Sequence, residues 1–231
     1  MLISPRIAVC ALTVCSPLLL VEPAGAQSGF GGQDVITAAA DNALSVYATD
    51  LDGDGDVDVL SAAGIRIIWY ENLGSGAFGA EKVITTAANY ATSVYATDLD
   101  GDGDADVLSA SWFDDKIAWY ENLGGGNFGG QQVITTAAGG AFSVYATDLD
   151  GDGDADVLSA SNNDDKIAWY RNLGGGVFGT QQVITTAADG VESVYATDLD
   201  GDGDADVLSA SFRDDKIAWY ENLGGGAFGP Q

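Results

Sequence analysis

Over residues 27–231 the hydrophobic positions come in short runs, and no stretch sustains a helical period. One such set of runs is Ser93–Asp98, Val107–Ser111, Lys116–Asn122 and Val133–Thr136, rich in β-branched and aromatic residues, which reads as four strands. The set recurs. Ser-Val-Tyr-Ala-Thr-Asp opens at Ser45, Ser93, Ser143 and Ser193, at spacings of 48, 50 and 50 residues. The first repeat is two residues short near Ala63-Gly64, where the second reads Trp112-Phe113-Asp114-Asp115, and a tolerated deletion marks a loop tip. Small and apolar residues occupy both parities of several runs, as in sheets covered on both faces. Four strands in a period near 50 residues is the pattern of a propeller blade. The expected fold class is all-β: a β-propeller of four-stranded blades in four repeats, either a closed four-blade ring or part of a larger propeller.

With the strands of a blade lettered A to D, the A–B and C–D connections fall on one face of the disc. The B–C and D–A connections fall on the other, because antiparallel strands alternate direction. The blade repeats run near 45–92, 93–142, 143–192 and 193–231. Residues 33–39 read as a D strand with no blade before it, and the last repeat stops at Phe228-Gly-Pro-Gln231, before its own D strand. The leading strand could complete the last blade and remove two sheet edges. The alternative is a fragment or a short array cut at an arbitrary repeat, and an open ring would permit self-association.

Residues 1–26 read as a signal peptide: Arg6, an apolar run from Ile7 to Val21, then Ala24-Gly25-Ala26 before Gln27. The run is shorter than the roughly 20 residues needed to span a bilayer, and Pro17 interrupts it. The expected location is therefore secreted, extracellular or at the cell surface, with no membrane insertion once the signal is removed. Both cysteines, Cys10 and Cys15, lie in this segment, so the domain over 27–231 has no disulfide.

Every A–B connection carries the same nine residues, Asp-Leu-Asp-Gly-Asp-Gly-Asp-Ala-Asp, with Val57 for Ala in the first copy. The aspartates are Asp50, Asp52, Asp54, Asp56 and Asp58; Asp98, Asp100, Asp102, Asp104 and Asp106; Asp148, Asp150, Asp152, Asp154 and Asp156; and Asp198, Asp200, Asp202, Asp204 and Asp206. Ca2+ takes about six to eight oxygen ligands, which a short loop supplies when alternate residues turn inward. Positions 1, 3, 5 and 9 would give side-chain oxygens and position 7 its carbonyl, while glycine at position 6 permits the sharp turn. One copy would pass as a solvated acidic turn. Four in register point to about four Ca2+. An EF-hand is excluded, since position 12 is Ser61, Ser109, Ser159 or Ser209 rather than glutamate.

The net charge of −27 fits this reading: 20 of the 34 acidic residues after Gln27 lie in these loops. Such acidity argues against nucleic acid and anionic membranes as partners, and 46% hydrophobic residues argue for a packed fold rather than disorder. With no histidine, the commonest general base is missing.

These residues resemble the FG-GAP/VCBS repeat family, whose propeller also occurs in integrin alpha chains. The Phe-Gly pairs at Phe30, Phe78, Phe128, Phe178 and Phe228, the Asp-x-Asp-x-Asp-Gly-x-x-Asp loops, and Trp-Tyr-x-Asn-Leu-Gly at Trp69, Trp119, Trp169 and Trp219 carry the likeness. It implies calcium-stabilised blades and an extracellular binding role. The expected function is adhesion or recognition without catalysis; the alternatives are a carbohydrate-binding, lectin-like module or a non-catalytic propeller fragment of a larger extracellular enzyme. The family usually has about seven blades, against four repeats here.

The repeats differ from one another chiefly in their D–A and B–C connections. Tyr90, Trp112, Phe113, Phe142 and Phe212 would therefore stand on the face opposite calcium, as candidate contacts for a protein or glycan ligand. The competing account is drift in unconstrained loops, which covers most of the single positions, these aromatics included. The pairs Asp114-Asp115, Asp164-Asp165 and Asp214-Asp215 recur, unlike an active site, and are expected to form turns with Lys116, Lys166 and Lys216 as partners. Trp119, Trp169 and Trp219 are expected between blades. Arg171, replacing the glutamate of its sister repeats, has no evident role.

Overall fold

The computed structural model describes residues 32–231; the expected signal peptide at 1–26 lies outside the described residues. The described residues contain 15 strands and no helix. The first sheet is β1 (Ala43–Thr49), β2 (Asp58–Ala63), β3 (Arg66–Tyr70) and β4 (Lys82–Thr85). The second is β5 (Ala91–Thr97), β6 (Asp106–Ser111), β7 (Lys116–Tyr120) and β8 (Gln132–Thr135). The third is β9 (Ala141–Thr147), β10 (Asp156–Ser161), β11 (Lys166–Tyr170) and β12 (Gln182–Thr185). The fourth has only β13 (Val191–Thr197), β14 (Asp206–Ser211) and β15 (Lys216–Tyr220). Every sheet is an antiparallel meander in sequence order. The A, B and C strands thus fall where the sequence predicts them.

Consecutive sheets pack face to face, β1 on β5, β5 on β9 and β9 on β13. Three equivalent cores result. Leu51, Leu60, Ile67 and Trp69 of the first sheet meet Val94, Ala96, Val107 and Tyr120 of the second, and the next two interfaces repeat the pattern. This double-sided burial is why both parities of the strands are apolar. Trp69, Trp119 and Trp169 are buried between sheets, each edge-on to the phenylalanine of the next repeat (Phe128, Phe178, Phe228) at 6.3–6.5 Å. Along the A strands, Tyr47, Tyr95, Tyr145 and Tyr195 form a ladder with ring centroids 4.7–4.8 Å apart.

The four sheets do not close on one another. Val46 is 70% exposed where its equivalent Val94 is 4%, and Ile217 is 86% exposed where Ile167 is 0%. The strand expected over 33–39 is not formed either: residues 32–40 carry no strand, and β15 has no partner beyond β14 among the described residues. Ala40 instead packs, as does Phe78, against the cluster of Ala63, Ile68 and Tyr70, and the Arg66 guanidinium donates to the Ala39 carbonyl at 3.2 Å. These contacts tie Ala39 and Ala40 to the first sheet.

Candidate metal centre

The A–B connections join strand pairs whose final register is Thr49↔Asp58, Thr97↔Asp106, Thr147↔Asp156 and Thr197↔Asp206. Each pair therefore delivers the ninth loop residue at the mouth of its hairpin, fully buried. That aspartate is a staple. Asp58 Oδ2 accepts the Leu51 N–H at 2.9 Å and Oδ1 accepts the Asn72 N–H at 2.8 Å. The other three loops repeat both bonds. The first aspartate shapes the turn: Asp98 accepts N–H groups from Gly101 at 2.7 Å and Gly103 at 3.0 Å. Both glycines have positive φ, 84° and 96°, and a Cβ there would be strained.

This clamping gathers three carboxylates per loop. One oxygen each from Asp50, Asp52 and Asp58 lie within 4.8 Å of one another, as do those of Asp98, Asp100 and Asp106, of Asp148, Asp150 and Asp156, and of Asp198, Asp200 and Asp206. Positions 1, 3 and 9 are thus brought together. Position 5 stands apart from that trio: Asp54, Asp102, Asp152 and Asp202 each accept the N–H of position 7 (Asp56, Asp104, Asp154, Asp204) at 2.8–3.0 Å. In the first loop Asp54 also joins Asp52 and Glu71 in a second acidic group.

The donor set fits a hard divalent cation. Oxygens this close can share one ion at about 2.3–2.6 Å each, and Asp150 Oδ1 is buried without a hydrogen-bond partner among the described residues. The electrostatics show the cost of leaving such charges unneutralised. Burial pushes Asp106 up to about 7 and Asp156 to about 6, against the N–H bonds that pull the other way. Burial, with neighbouring carboxylates adding to it, also raises Asp52, Asp100 and Asp150.

Two features of these loops escape a motif search. The first is the asparagine of Trp-Tyr-x-Asn. Asn122 Nδ2 donates to Ala105 O at 3.1 Å in its own repeat and to Leu51 O at 2.8 Å in the preceding loop. Asn172 and Asn222 reach back to Leu99 O and Leu149 O in the same way. Its presence at one place in all four repeats was the available signal. The second is Arg171, whose guanidinium binds Asp150 at 2.7 Å and Asp152 at 2.9 Å, so the third loop carries its own cation. That contact holds the Asp152 carboxyl below its ordinary range.

At the other end of the A–B hairpins lie the connections that vary. Tyr90 and Phe113 stack 5.0 Å apart, and Trp112 meets Phe142 of the next repeat edge-on at 5.7 Å. Tyr90 holds φ at 62°, where the other repeats have Asn42, Gly140 and Gly190. A bulky residue in the left-handed region is strained. Phe142 sits at the register shift between Ala141 and Ser143, a bulge that re-aims its side chain. Phe212 is exposed but lies with none of the others in a ring contact. Asp115 and Asp165 form turns with positive φ and accept the N–H of Gly140 and Gly190, while Asp114, Asp164 and Asp214 pair with Lys116, Lys166 and Lys216 at 2.7–2.9 Å. No helix of the described residues is long and apolar enough to cross a membrane.

Among solved structures the chain is similar to an Agrocybe aegerita lectin described as recognising non-reducing terminal N-acetylglucosamine. That match has 23% identity and a TM-score of 0.60, over 79% of this chain and 50% of the lectin. It is also similar to the Photorhabdus luminescens Tc holotoxin pore (19% identity, TM-score 0.46, 77% of this chain and 9% of that one). A third is the V. cholerae biofilm matrix protein Bap1 (23% identity, TM-score 0.43, 79% and 29%). The chain therefore spans about half the length of the lectin, with which it shares a fold. No curated protein matches it. A family model for the FG-GAP-like repeat matches residues 50–109, 98–159 and 148–209, a contiguous span that takes in all four acidic loops. The chain belongs to the FG-GAP-like repeat family.

Proposed function

We propose that the chain is a secreted, calcium-stabilised recognition module of propeller type that acts without catalysis. The observation that carries this reading is the division of labour between the two ends of each hairpin. One end repeats the same clamped trio of carboxylates four times, and the other carries aromatic side chains that change from repeat to repeat. Calcium, when bound, neutralises the trio and fixes the A–B turn. The chain's own residues do the rest: the ninth aspartate closes the loop on two N–H groups, and the asparagine ties it to the next repeat. The recurring Asp pairs are engaged in turns and lysine pairs, which supports a structural role for them.

Thermal unfolding with millimolar calcium and with EDTA tests the calcium half of the proposal. A ligand at a hundred times its dissociation constant stabilises by about 2.7 kcal/mol per site, so the melt should rise by many degrees. An unchanged melt would return the loops to solvated turns.

A glycan is the ligand class that one observation favours. Tyr90, Phe113, Trp112 and Phe142 form two aromatic pairs on adjoining repeats, which suits stacking on sugar rings, and the lectin of similar fold recognises a terminal N-acetylglucosamine. A glycan array should show binding that falls at least about tenfold on Trp112→Ala or Phe113→Ala, a loss of roughly 1.4 kcal/mol. Binding to proteins but to no glycan would sink the sugar reading and keep the recognition role.

A further inference from the structure

We propose that copies of this chain associate head to tail, the fourth sheet of one copy packing on the first sheet of the next and taking residues 34–37 of that second copy as the fourth strand that it lacks among the described residues. Three matches on the two ends point to this partner.

The first is the pair of uncovered faces. Ile217, Trp219 and Leu199 stand exposed on the fourth sheet, and their equivalents Ile167, Trp169 and Leu149 are buried by the sheet that follows. On the first sheet, exposed Val46 is the equivalent of Val94 and Val144, which are buried by the sheet that precedes. The face left open at one end is thus the one that the three internal interfaces already pack against the face left open at the other.

The second match is in shape. In each internal interface a glycine leaves room for the preceding tryptophan: a Cβ on Gly126 would lie 2.5 Å from Trp69, and one on Gly176 would lie 2.4 Å from Trp119. Gly76, the equivalent glycine of the first repeat, has nothing within 4 Å of that position. Trp219 is the tryptophan without a glycine, and Gly76 is the glycine without a tryptophan.

The third match is in hydrogen bonding. β15 offers the edge on which β3, β7 and β11 pair with a fourth strand. Asp34-Val-Ile-Thr37 repeats the Val-Ile-Thr of β4, β8 and β12 yet forms no strand in the single copy. Transferring the register Ile167↔Thr185, Ala168↔Val183 and Trp169↔Gln182 places Ile217 opposite Thr37 of the second copy, Ala218 opposite Val35 and Trp219 opposite Asp34. Residues 36–40 need not leave the first sheet to do this, because the incoming fourth sheet occupies the place a preceding sheet would have. The asparagine pin is completed too. Asn122, Asn172 and Asn222 each reach back to the loop before them, whereas the Asn72 Nδ2 donates only to Val57 O and no asparagine among the described residues reaches Leu199 O. Asn72 of the second copy supplies that bond to the fourth acidic loop, the most exposed of the four.

Such an interface is heterologous, so it closes into a ring or extends as a filament. The test uses the full chain with Cys10→Ser and Cys15→Ser, carrying either Val35→Cys or Ala218→Cys. The two single variants, mixed in calcium under mild oxidation, should yield a covalent heterodimer, because residues directly opposite across strands can form a disulfide. Ile217→Cys, on the opposite side of β15, should not link to Val35→Cys. Light scattering of the cysteine-free chain should give a mass of two copies or more. Ile217→Asp should weaken self-association by roughly tenfold or more while leaving the circular dichroism melt of the separate copies intact, since that side chain is already in solvent. A monomer at all concentrations with no mixed disulfide overturns the proposal. So does a chain carrying both cysteines that links within one copy, which would mean closure on itself.

Discussion

The first and third acidic loops share eight of their nine residues, and the exception is Val57 against Ala155. Their surroundings differ in sign. Glu71 brings a carboxylate to Asp52 and Asp54 of the first loop, while Arg171, at the same place in its repeat, binds Asp150 and Asp152 of the third. The lesson is that the nine-residue motif sets the geometry of a site and a residue outside it sets the charge. Two loops that read alike as motifs differ by two charges where a cation would sit.

The geometry and the charge can be separated experimentally. The ninth aspartate should matter equally in both loops, because its two N–H bonds are the same in each. Asp58→Ala and Asp156→Ala should each cost roughly 3 kcal/mol in urea unfolding, the scale of two charge-assisted bonds lost from a buried site. A much smaller cost in the third loop would show that Arg171 supports the turn on its own. The residue outside the motif should matter unequally. Arg171→Glu makes the third loop resemble the first, and calorimetric titration should show calcium binding there tighten by roughly tenfold at low salt, with the gain shrinking as salt screens it. An unchanged isotherm would break the comparison, since charge would then not distinguish the loops.

The shallowest effect is that of pH. Asp106 and Asp156 bind protons more tightly folded than unfolded, because burial raises them to about 7 and about 6 from an ordinary value of 3.8. Their contribution to calcium-free stability is therefore fully present below pH 3.8 and lost as pH rises through about 6 for Asp156 and about 7 for Asp106. Calcium competes with those protons, so its affinity should climb over the same window, levelling off earlier in the third loop than in the second. Unfolding in chelated buffer from pH 5 to 8 reads the first trend, and a stability that increases over that range would contradict the burial of these carboxyls.

The repeating parts of the molecule were legible because repetition itself is a signal. Ser-Val-Tyr-Ala-Thr-Asp and Lys-Ile-Ala-Trp-Tyr gave the A and C strands, and the apolar residues of both parities gave the two-sided burial of Leu108 and Val107. Loop spacing pointed to positions 1, 3, 5 and 9, and of these the structure gathers 1, 3 and 9. The partners of long-range contacts were not legible. Asn122 reads only as the last residue of the Lys116–Asn122 strand, and only the stacking of sheets brings it to a carbonyl 71 residues away. Arg171 reads as an exception for the same reason: its carboxylate partners lie in a loop about twenty residues earlier. The Gln33–Ala39 segment has a strand's sequence but no strand's pairing, because local pattern says nothing about which edge is within reach.

The asparagine bonds all point one way: each repeat fastens the loop before it and none fastens the loop after it. The stack therefore has a mechanical polarity. Removing the fourth repeat strips the third loop of its fastener, whereas removing the first leaves every remaining loop fastened as before. Pulled from its two ends, a free copy should come apart from the Gln231 side, one repeat at a time, and amide exchange should grade in the same direction, slowest in the loop between β1 and β2 and fastest in the loop between β13 and β14.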